Sequence, residues 1–106
     1  MSKNIFVDID KTICVTESTD YKLSKPIHKN IEIINKLYEE GHNITYWTAR
    51  GTMTGIDHTE LTKNQFKEWG VKYHKLMFGK PSYDILIDDK AVNTIQEFSF
   101  IKNLFT

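Results

Sequence analysis

The chain has 106 residues, the usual length of one domain with a single hydrophobic core. Its 14 Lys and Arg balance its 14 Asp and Glu, so no excess of positive charge favours binding to nucleic acid or to an anionic membrane. Cys14 is the only cysteine, which excludes an intramolecular disulfide and a Cys-rich zinc site. No apolar run approaches membrane-spanning length, and a cytoplasmic location is the default expectation.

The first predicted element is a strand at residues 5–9, an apolar run typical of a parallel strand buried on both faces. Residues 11–25 are polar and rich in Thr and Ser, which predicts a loop or a short hairpin. Pro26 fits the first turn of a helix, and Gly41 is placed as its stop. The apolar residues between them recur at helical spacing.

The second half of the chain continues the alternation. We predict a second buried strand at 44–48, a helix capped by Thr59 or Thr62 and ended by Gly70, and a third strand at 71–78. A short fourth strand at 85–87 and a last helix at 91–104 complete the list. The order β-α-β-α-β-β-α predicts a single α/β domain, residues 1–106, with a parallel sheet in three layers. Ligands of such sheets bind beyond the carboxyl ends of the strands.

Acidic pairs follow two of these strands. Asp8 and Asp10 end the first strand, and their spacing on an extended chain points both carboxylates to the same side. Asp88 and Asp89 follow the fourth. Two like charges 4 Å apart repel by about 4 kcal/mol at an effective dielectric constant near 20. Four carboxylates in one pocket therefore call for a hard cation, and Mg²⁺ with a phosphate is the usual case.

Groups suited to binding phosphate end the other two strands. The Thr48 hydroxyl and the backbone N–H groups after it can hold phosphoryl oxygens, and the Arg50 guanidinium matches them bidentately. Lys80, between Gly79 and Pro81, can supply a fixed positive charge. Each motif alone also fits a solvated strand end, but their common position at strand ends favours a functional site.

These motifs together resemble the haloacid dehalogenase superfamily of phosphohydrolases. The resemblance covers about residues 5–95, in the superfamily's order, through four segments: Phe6–Ile13, Trp47–Arg50, Gly79–Pro81 and Leu86–Asp89. It implies a Rossmann-like core with the strand order 4-1-2-3. The pattern is most similar to small bacterial capsule-biosynthesis phosphatases, although Lys11 stands where relatives often have Gly or Asn.

The resemblance also implies a role for each motif residue. Asp8 would attack phosphorus, giving an aspartyl-phosphate, and Asp10 would protonate the leaving oxygen and then activate the hydrolytic water. Thr48 and Lys80 would hold the phosphoryl oxygens. We expect Ala49 and Arg50 to bind the substrate together with them. Mg²⁺ would be bound by the Asp8 carboxylate, the Asp10 main-chain carbonyl and Asp88, with Asp89 binding it directly or through water.

The spacing of the motifs leaves no room for the superfamily's cap domains. Only 15 residues separate Asp10 from Pro26, and 31 separate Thr48 from Lys80. Capless relatives act on macromolecules or close their sites by oligomerising. We therefore expect a homo-oligomer, a dimer or tetramer, that hydrolyses a small phosphorylated substrate such as a sugar phosphate, with no membrane or nucleic-acid partner.

Two alternatives stay open. A polynucleotide end phosphatase of the same superfamily has similar Asp-x-Asp and Ile-Asp-Asp motifs, although the neutral net charge argues against it. A receiver-like regulatory module also uses an aspartyl-phosphate, a Thr, a Lys-Pro and an acidic pair. In this chain, however, Lys80 precedes Asp88, and the expected acceptor follows the first strand rather than the third.

Overall fold

The structure is a computed structural model that describes residues 2–17 and 20–92. Its elements, in chain order, are β1 (Asn4–Val7), β2 (Cys14–Val15), a 3₁₀ helix (Tyr21–Leu23), β3 (Lys25–Pro26), α1 (His28–Glu39), β4 (Asn43–Trp47), α2 (Thr59–Trp69) and β5 (Lys75–Met77). The chain is thus an α/β protein, and its described residues include a parallel sheet of three strands in the order β1-β4-β5. The predicted order of its first three strands is confirmed.

The predicted hairpin is present as β2 and β3, which pair antiparallel over two residues. Pro26 pairs with Cys14 in this ladder, so the prediction that it lies in the first turn of the helix is wrong. Helix α1 begins two residues later, at His28. An extended conformation at Pro26 is available because its fixed φ suits an edge strand as well as a helix start.

Both helices end at the predicted glycines. Gly41, with φ 98°, follows α1, and Gly70, with φ 72°, ends α2. A left-handed φ of this kind costs glycine little and stops a helix. At the start of α2, the side chain of Asp57 accepts a hydrogen bond from the backbone N–H of Thr59 at 2.9 Å, so Asp57 supplies the acceptor that we expected of a threonine.

The strand register divides the sheet into two faces. Residues on the inner face, such as Val7 paired with Tyr46, are buried in one core with both helices. Their helical partners are Ile31, Ile34 and Leu37 of α1 and Phe66 and Trp69 of α2. On the other face Phe6 is 57% exposed and Met77 is 42% exposed. The described residues therefore form two layers, with both helices on one face of the sheet.

The predicted fourth strand is absent from the described residues. Ile85, Leu86 and Ile87 form no strand and are 78%, 53% and 94% exposed. A three-residue run has little local preference for a strand, and a buried parallel strand needs layers on both faces. The helix predicted at 91–104 lies largely outside the described residues, and within those residues the outer face of the sheet has no covering layer. The third strand is also shorter than predicted.

Neither α1 nor α2, the two α-helices within residues 2–17 and 20–92, is long and apolar enough to cross a lipid bilayer.

Candidate active site

A cavity of about 260 Å³ lies beyond the carboxyl ends of β1 and β4. Asp8, Asp10, Ala49 and Arg50, four of the predicted site residues, line it. Other residues that line it are Lys11, Thr16 and Tyr21. The structure thus brings the first two predicted motifs together at the sheet edge where ligands of parallel α/β folds bind.

A tight turn after β1 positions the two acids of the first motif. Ile9 and Ile13, both fully buried, anchor it, and the backbone N–H of Ile13 donates to the Ile9 carbonyl at 2.9 Å. Asp8 and Asp10 flank the buried Ile9, so both carboxylates are left on the cavity side. Lys11 has φ 69°, the single positive φ of a non-glycine residue in the described part of the chain.

Lys80 provides a cation for Asp8. Its ammonium Nζ lies 3.6 Å from Asp8 Oδ1, where the Asp8 side chain is 41% exposed. The Lys80 backbone is held by two hydrogen bonds: its N–H donates to the Thr48 carbonyl at 3.1 Å, and its carbonyl accepts from the Thr52 hydroxyl at 2.9 Å. Burial raises the pKa of Asp8, and the charge of Lys80 partly offsets this.

Asp10 is clamped by Arg50. Nε of Arg50 donates to Asp10 Oδ2 at 3.0 Å, and Nη2 donates to Asp10 Oδ1 at 2.9 Å. The Thr16 hydroxyl donates to Oδ1 at 2.7 Å. Burial opposes the charge of Asp10, but the hydrogen bonds from Arg50 and Thr16 outweigh it and lower the pKa of this carboxyl. Asp10 is therefore held as a carboxylate of fixed orientation.

Helix α2 supplies further hydrogen-bond acceptors for Arg50, whose side chain is fully buried. Its Nη1 donates to Gln65 Oε1 at 2.6 Å and to the Thr62 hydroxyl at 3.1 Å. The guanidinium also stacks on the Tyr21 ring, 4.7 Å from its centroid. We predicted that Arg50 binds substrate, but the structure places its guanidinium against protein acceptors, beneath Asp10.

The roles of Thr62 and Gln65 were not predicted from the sequence. Both are polar residues on the side of α2 that carries the buried Phe66 and Trp69. Buried polar groups require partners, and Arg50 is the only arginine of the chain. Polar positions on an apolar helix face, together with the single arginine of the chain, could have indicated this contact.

Thr48 and Lys80 differ in their access to the cavity. Thr48 is 1% exposed and does not line the cavity, and its hydroxyl accepts a hydrogen bond from the Arg50 backbone N–H at 3.1 Å. Lys80 reaches the cavity through its contact with Asp8. The Thr48 side chain thus shapes the turn that carries Ala49 and Arg50.

Asp88 and Asp89 are not brought to the cavity. Both are exposed, and the pKa of Asp88 is lowered first by a hydrogen bond from the Lys90 backbone N–H. Within residues 2–17 and 20–92 no three His, Cys, Asp or Glu side chains come close enough to hold a metal ion. The structure therefore places two of the four predicted Mg²⁺ ligands, Asp8 and Asp10, and the half-exposed Asp8 is the carboxylate open to a cation.

A second cavity, of about 190 Å³, adjoins the first and shares Arg50 in its wall. The loop 51–58 forms most of its lining, with Phe78 and Gly79 opposite. Gly51 has φ 82°, and a Cβ atom there would lie 2.1 Å from the Ile56 carbonyl oxygen. This close approach folds the loop back on itself, and the Thr52 bond to Lys80 joins the loop to the third motif.

Comparisons with known proteins support the fold. No protein-family model matches the chain, and no curated protein matches it. The chain is similar to the crystal structure of a protein from Vibrio cholerae, described only as an MCSG target, with 27% sequence identity and a TM-score of 0.84. The similarity covers 97% of this chain and 96% of the other. The fold therefore extends over nearly the full length of both proteins.

Proposed function

We propose that the protein is a phosphomonoester hydrolase of the capless haloacid dehalogenase type, in which Asp8 is the nucleophile. The observation that carries the proposal is the pairing within one cavity of two unlike carboxylates. Asp8 is half-exposed beside the Lys80 ammonium, whereas Asp10 is clamped as a carboxylate by Arg50. Acids in contrasting environments are typical of sites where one group attacks and the other transfers protons.

The chemistry proceeds in two steps in this proposal. The Asp8 carboxylate attacks phosphorus, the bond to the leaving oxygen breaks, and that oxygen takes a proton from Asp10. In the second step the Asp10 carboxylate takes a proton from water, whose oxygen attacks the phosphorus of the aspartyl-phosphate and releases phosphate. The Lys80 ammonium, already 3.6 Å from Asp8, offsets the charge of the phosphoryl group.

The clamp on Asp10 favours the second of these steps. Its lowered pKa keeps the carboxylate ionised and so able to accept a proton from water, although it also makes Asp10 a weaker base. The same property leaves little protonated Asp10 for the first step. We therefore expect faster turnover of esters whose leaving group needs little protonation than of alkyl phosphates.

The proposal also includes the complete strand order of the sheet and its number of layers. We infer a fourth strand at 85–87 beside β1, giving the order 4-1-2-3, and a third layer on the outer sheet face. Two features of the described residues support this: the outer edge of β1 has no partner strand, and the apolar run at 85–87 is exposed. Unpaired strand edges and exposed apolar runs are both unfavourable in water.

That pairing would carry Asp88 and Asp89 to the edge of the sheet where Asp8 lies. They would then hold Mg²⁺ together with the Asp8 carboxylate and the Asp10 main-chain carbonyl. When bound, the ion would neutralise charge on the phosphoryl oxygens. We further propose a cytoplasmic protein acting on small phosphorylated metabolites, such as sugar phosphates. Buried Cys14, the single cysteine, is compatible with a reducing compartment.

The test is phosphate release from a panel of phosphorylated sugars, nucleotides and 3′-phosphorylated oligonucleotides. We expect turnover with Mg²⁺ and none in excess chelator. Asp8→Asn should abolish turnover because an amide cannot form the aspartyl-phosphate, and it should also abolish beryllofluoride binding measured by calorimetry. Asp10→Asn should cost on the order of 10²–10⁴ in kcat.

Asp84→Asn is the matched control, because Asp84 is an exposed acid outside the cavity. It should retain the wild-type rate. Hydrolysis by Asp8→Asn at a near-wild-type rate would remove the nucleophile assignment, and full turnover in chelator would remove the metal. Preferential turnover of the oligonucleotide would favour the polynucleotide end phosphatase.

A further inference from the structure

Lys11 combines a strained backbone with a place in the wall of the Asp8 cavity. Its φ of 69° lies in the left-handed region, which glycine adopts freely and a lysine does not. The turn fixes this geometry, because the Lys11 N–H donates to the Cys14 carbonyl at 2.8 Å. A long cationic side chain thus occupies a position whose backbone conformation favours glycine. Backbone strain of this kind often marks a functional site.

The charges around this cavity are paired except at Lys11. The Asp8 carboxylate faces Lys80, and the Asp10 carboxylate is bound by Arg50. Within residues 2–17 and 20–92 no ion pair includes Lys11, which is an exposed residue. Arg50 is buried and saturated by protein acceptors. Among the described residues, Lys11 is therefore the cation lining this cavity that makes no ion pair and can meet an incoming anion.

We propose that Lys11 is a specificity residue that binds a second anionic group of the substrate, a carboxylate or a second phosphate, while the reacting phosphoryl group lies at Asp8. This inference rests on the proposed hydrolase function. It narrows the substrate class from phosphate monoesters in general to small monoesters that carry a further negative charge. The Lys11 ammonium binds the part of the substrate that leaves when the phosphoryl group is transferred. It takes no part in bond making or breaking.

The experiment compares matched pairs of esters in wild type and Lys11→Gln. One pair is 3-phosphoglycerate and glycerol 3-phosphate, and the other is fructose 1,6-bisphosphate and fructose 6-phosphate. We expect wild type to prefer the more anionic member of a pair in kcat/KM. Lys11→Gln should reduce that preference roughly tenfold, mainly through KM, as for one partly solvated charge pair. Added salt should reduce it in wild type.

Lys63→Gln is the matched control, since Lys63 is an exposed lysine on α2 outside the cavity. It should keep the wild-type preference. A preference unchanged by Lys11→Gln, or wild-type hydrolysis of the less anionic member alone, would overturn the inference while leaving the hydrolase function in place. If Lys11→Gln lowers kcat/KM only for a 3′-phosphorylated oligonucleotide, Lys11 binds a polymeric substrate, and that result would also overturn the inference. No hydrolysis of any ester in the panel would remove both proposals.

A stability measurement tests the backbone argument separately. Lys11→Asn introduces a residue that tolerates the left-handed region, whereas Lys11→Gln keeps the strain. We expect the Asn variant to melt at a higher temperature than the Gln variant and to lose the same substrate preference. A lower melting temperature for Lys11→Asn would contradict the strain, and retention of the preference would contradict the charge.

Discussion

The Asp10–Arg50 pair sets the electrostatics of the cavity at the scale of single residues. Its two hydrogen bonds join chain positions 40 residues apart, and the guanidinium has no access to solvent. Removing one partner of such a pair leaves a buried charge without compensation, whereas removing both does not. The pair therefore links the turn after β1 to β4 and α2, beyond its role in fixing Asp10.

A double-mutant cycle with Asp10→Asn and Arg50→Met tests this coupling by urea unfolding. At neutral pH we expect Arg50→Met to cost roughly 3–5 kcal/mol and the coupling energy to be about 1–3 kcal/mol. The pKa of Asp10 is lowered in the folded state, so this contribution is complete above its ordinary value of 3.8. It should disappear as the pH falls through the lowered pKa. A coupling energy that stays constant through this range would contradict the assignment.

Some of these residue-level features follow from the sequence, and others do not. That Asp8 and Asp10 share one cavity follows from their spacing on an extended chain, and the structure confirms it. The partner of Asp10 does not follow from spacing, because it is set by how β4 and α2 pack 40 or more residues away. Arg50 matches a phosphate and a carboxylate equally well by its shape, so the sequence alone could not decide between them.

At the scale of elements, the loop 51–58 depends on the absence of a side chain at Gly51. Gly51→Ala would place a Cβ within 2.1 Å of the Ile56 carbonyl oxygen and would also strain the left-handed φ. Gly55→Ala is the matched control. Gly55 has a similar φ of 76°, but a Cβ atom there would meet no atom of the described residues within 4 Å.

We expect Gly55→Ala to lower the free energy of unfolding by about 1 kcal/mol, from backbone strain alone. Gly51→Ala should cost clearly more, because the loop must also open. It should raise KM as well, since Thr52 of this loop holds the Lys80 carbonyl. Equal losses of stability in the two variants would mean that the close approach of Gly51 to Ile56 does not contribute to the free energy of unfolding.

The sequence predicted elements well where a segment has its own periodicity and stop signals. Helices α1 and α2 end at Gly41 and Gly70 as expected, because a left-handed glycine acts locally. Residues 85–87 differ, since a run of three apolar residues becomes a strand only when a sheet edge and covering layers receive it. Pro26 is a similar case: its local preference fits two conformations, and pairing with Cys14 selects one.

At the scale of the whole molecule, both the outer sheet face and the cavity rim expose apolar side chains. Phe6 and Met77 lie on the sheet face, which within residues 2–17 and 20–92 no helix covers. In the loop 51–58, which lines the adjoining second cavity, Met53 is 81% exposed and Ile56 is 58% exposed, and these two residues are called the cavity rim. Exposed apolar groups that lie together mark surfaces that are covered by another part of the chain or by another molecule. We propose that the third layer covers the sheet face, and we expect a second subunit to cover the cavity rim.

The last prediction is therefore a homo-oligomer, a dimer or tetramer, assembled through the cavity rim. A site in which the Asp8 side chain is 41% exposed excludes water poorly, and electrostatic stabilisation is strongest where water is excluded. Light scattering at micromolar concentration should give a multiple of the 12.4 kDa chain mass. Charge introduced by Met53→Glu with Ile56→Glu should yield monomers and raise KM for small substrates, whereas Lys63→Glu, at an exposed position of α2 outside both cavities, should leave the assembly intact. A wild-type species of one chain mass would reject the oligomer, and dissociation by Lys63→Glu alone would move the interface to α2.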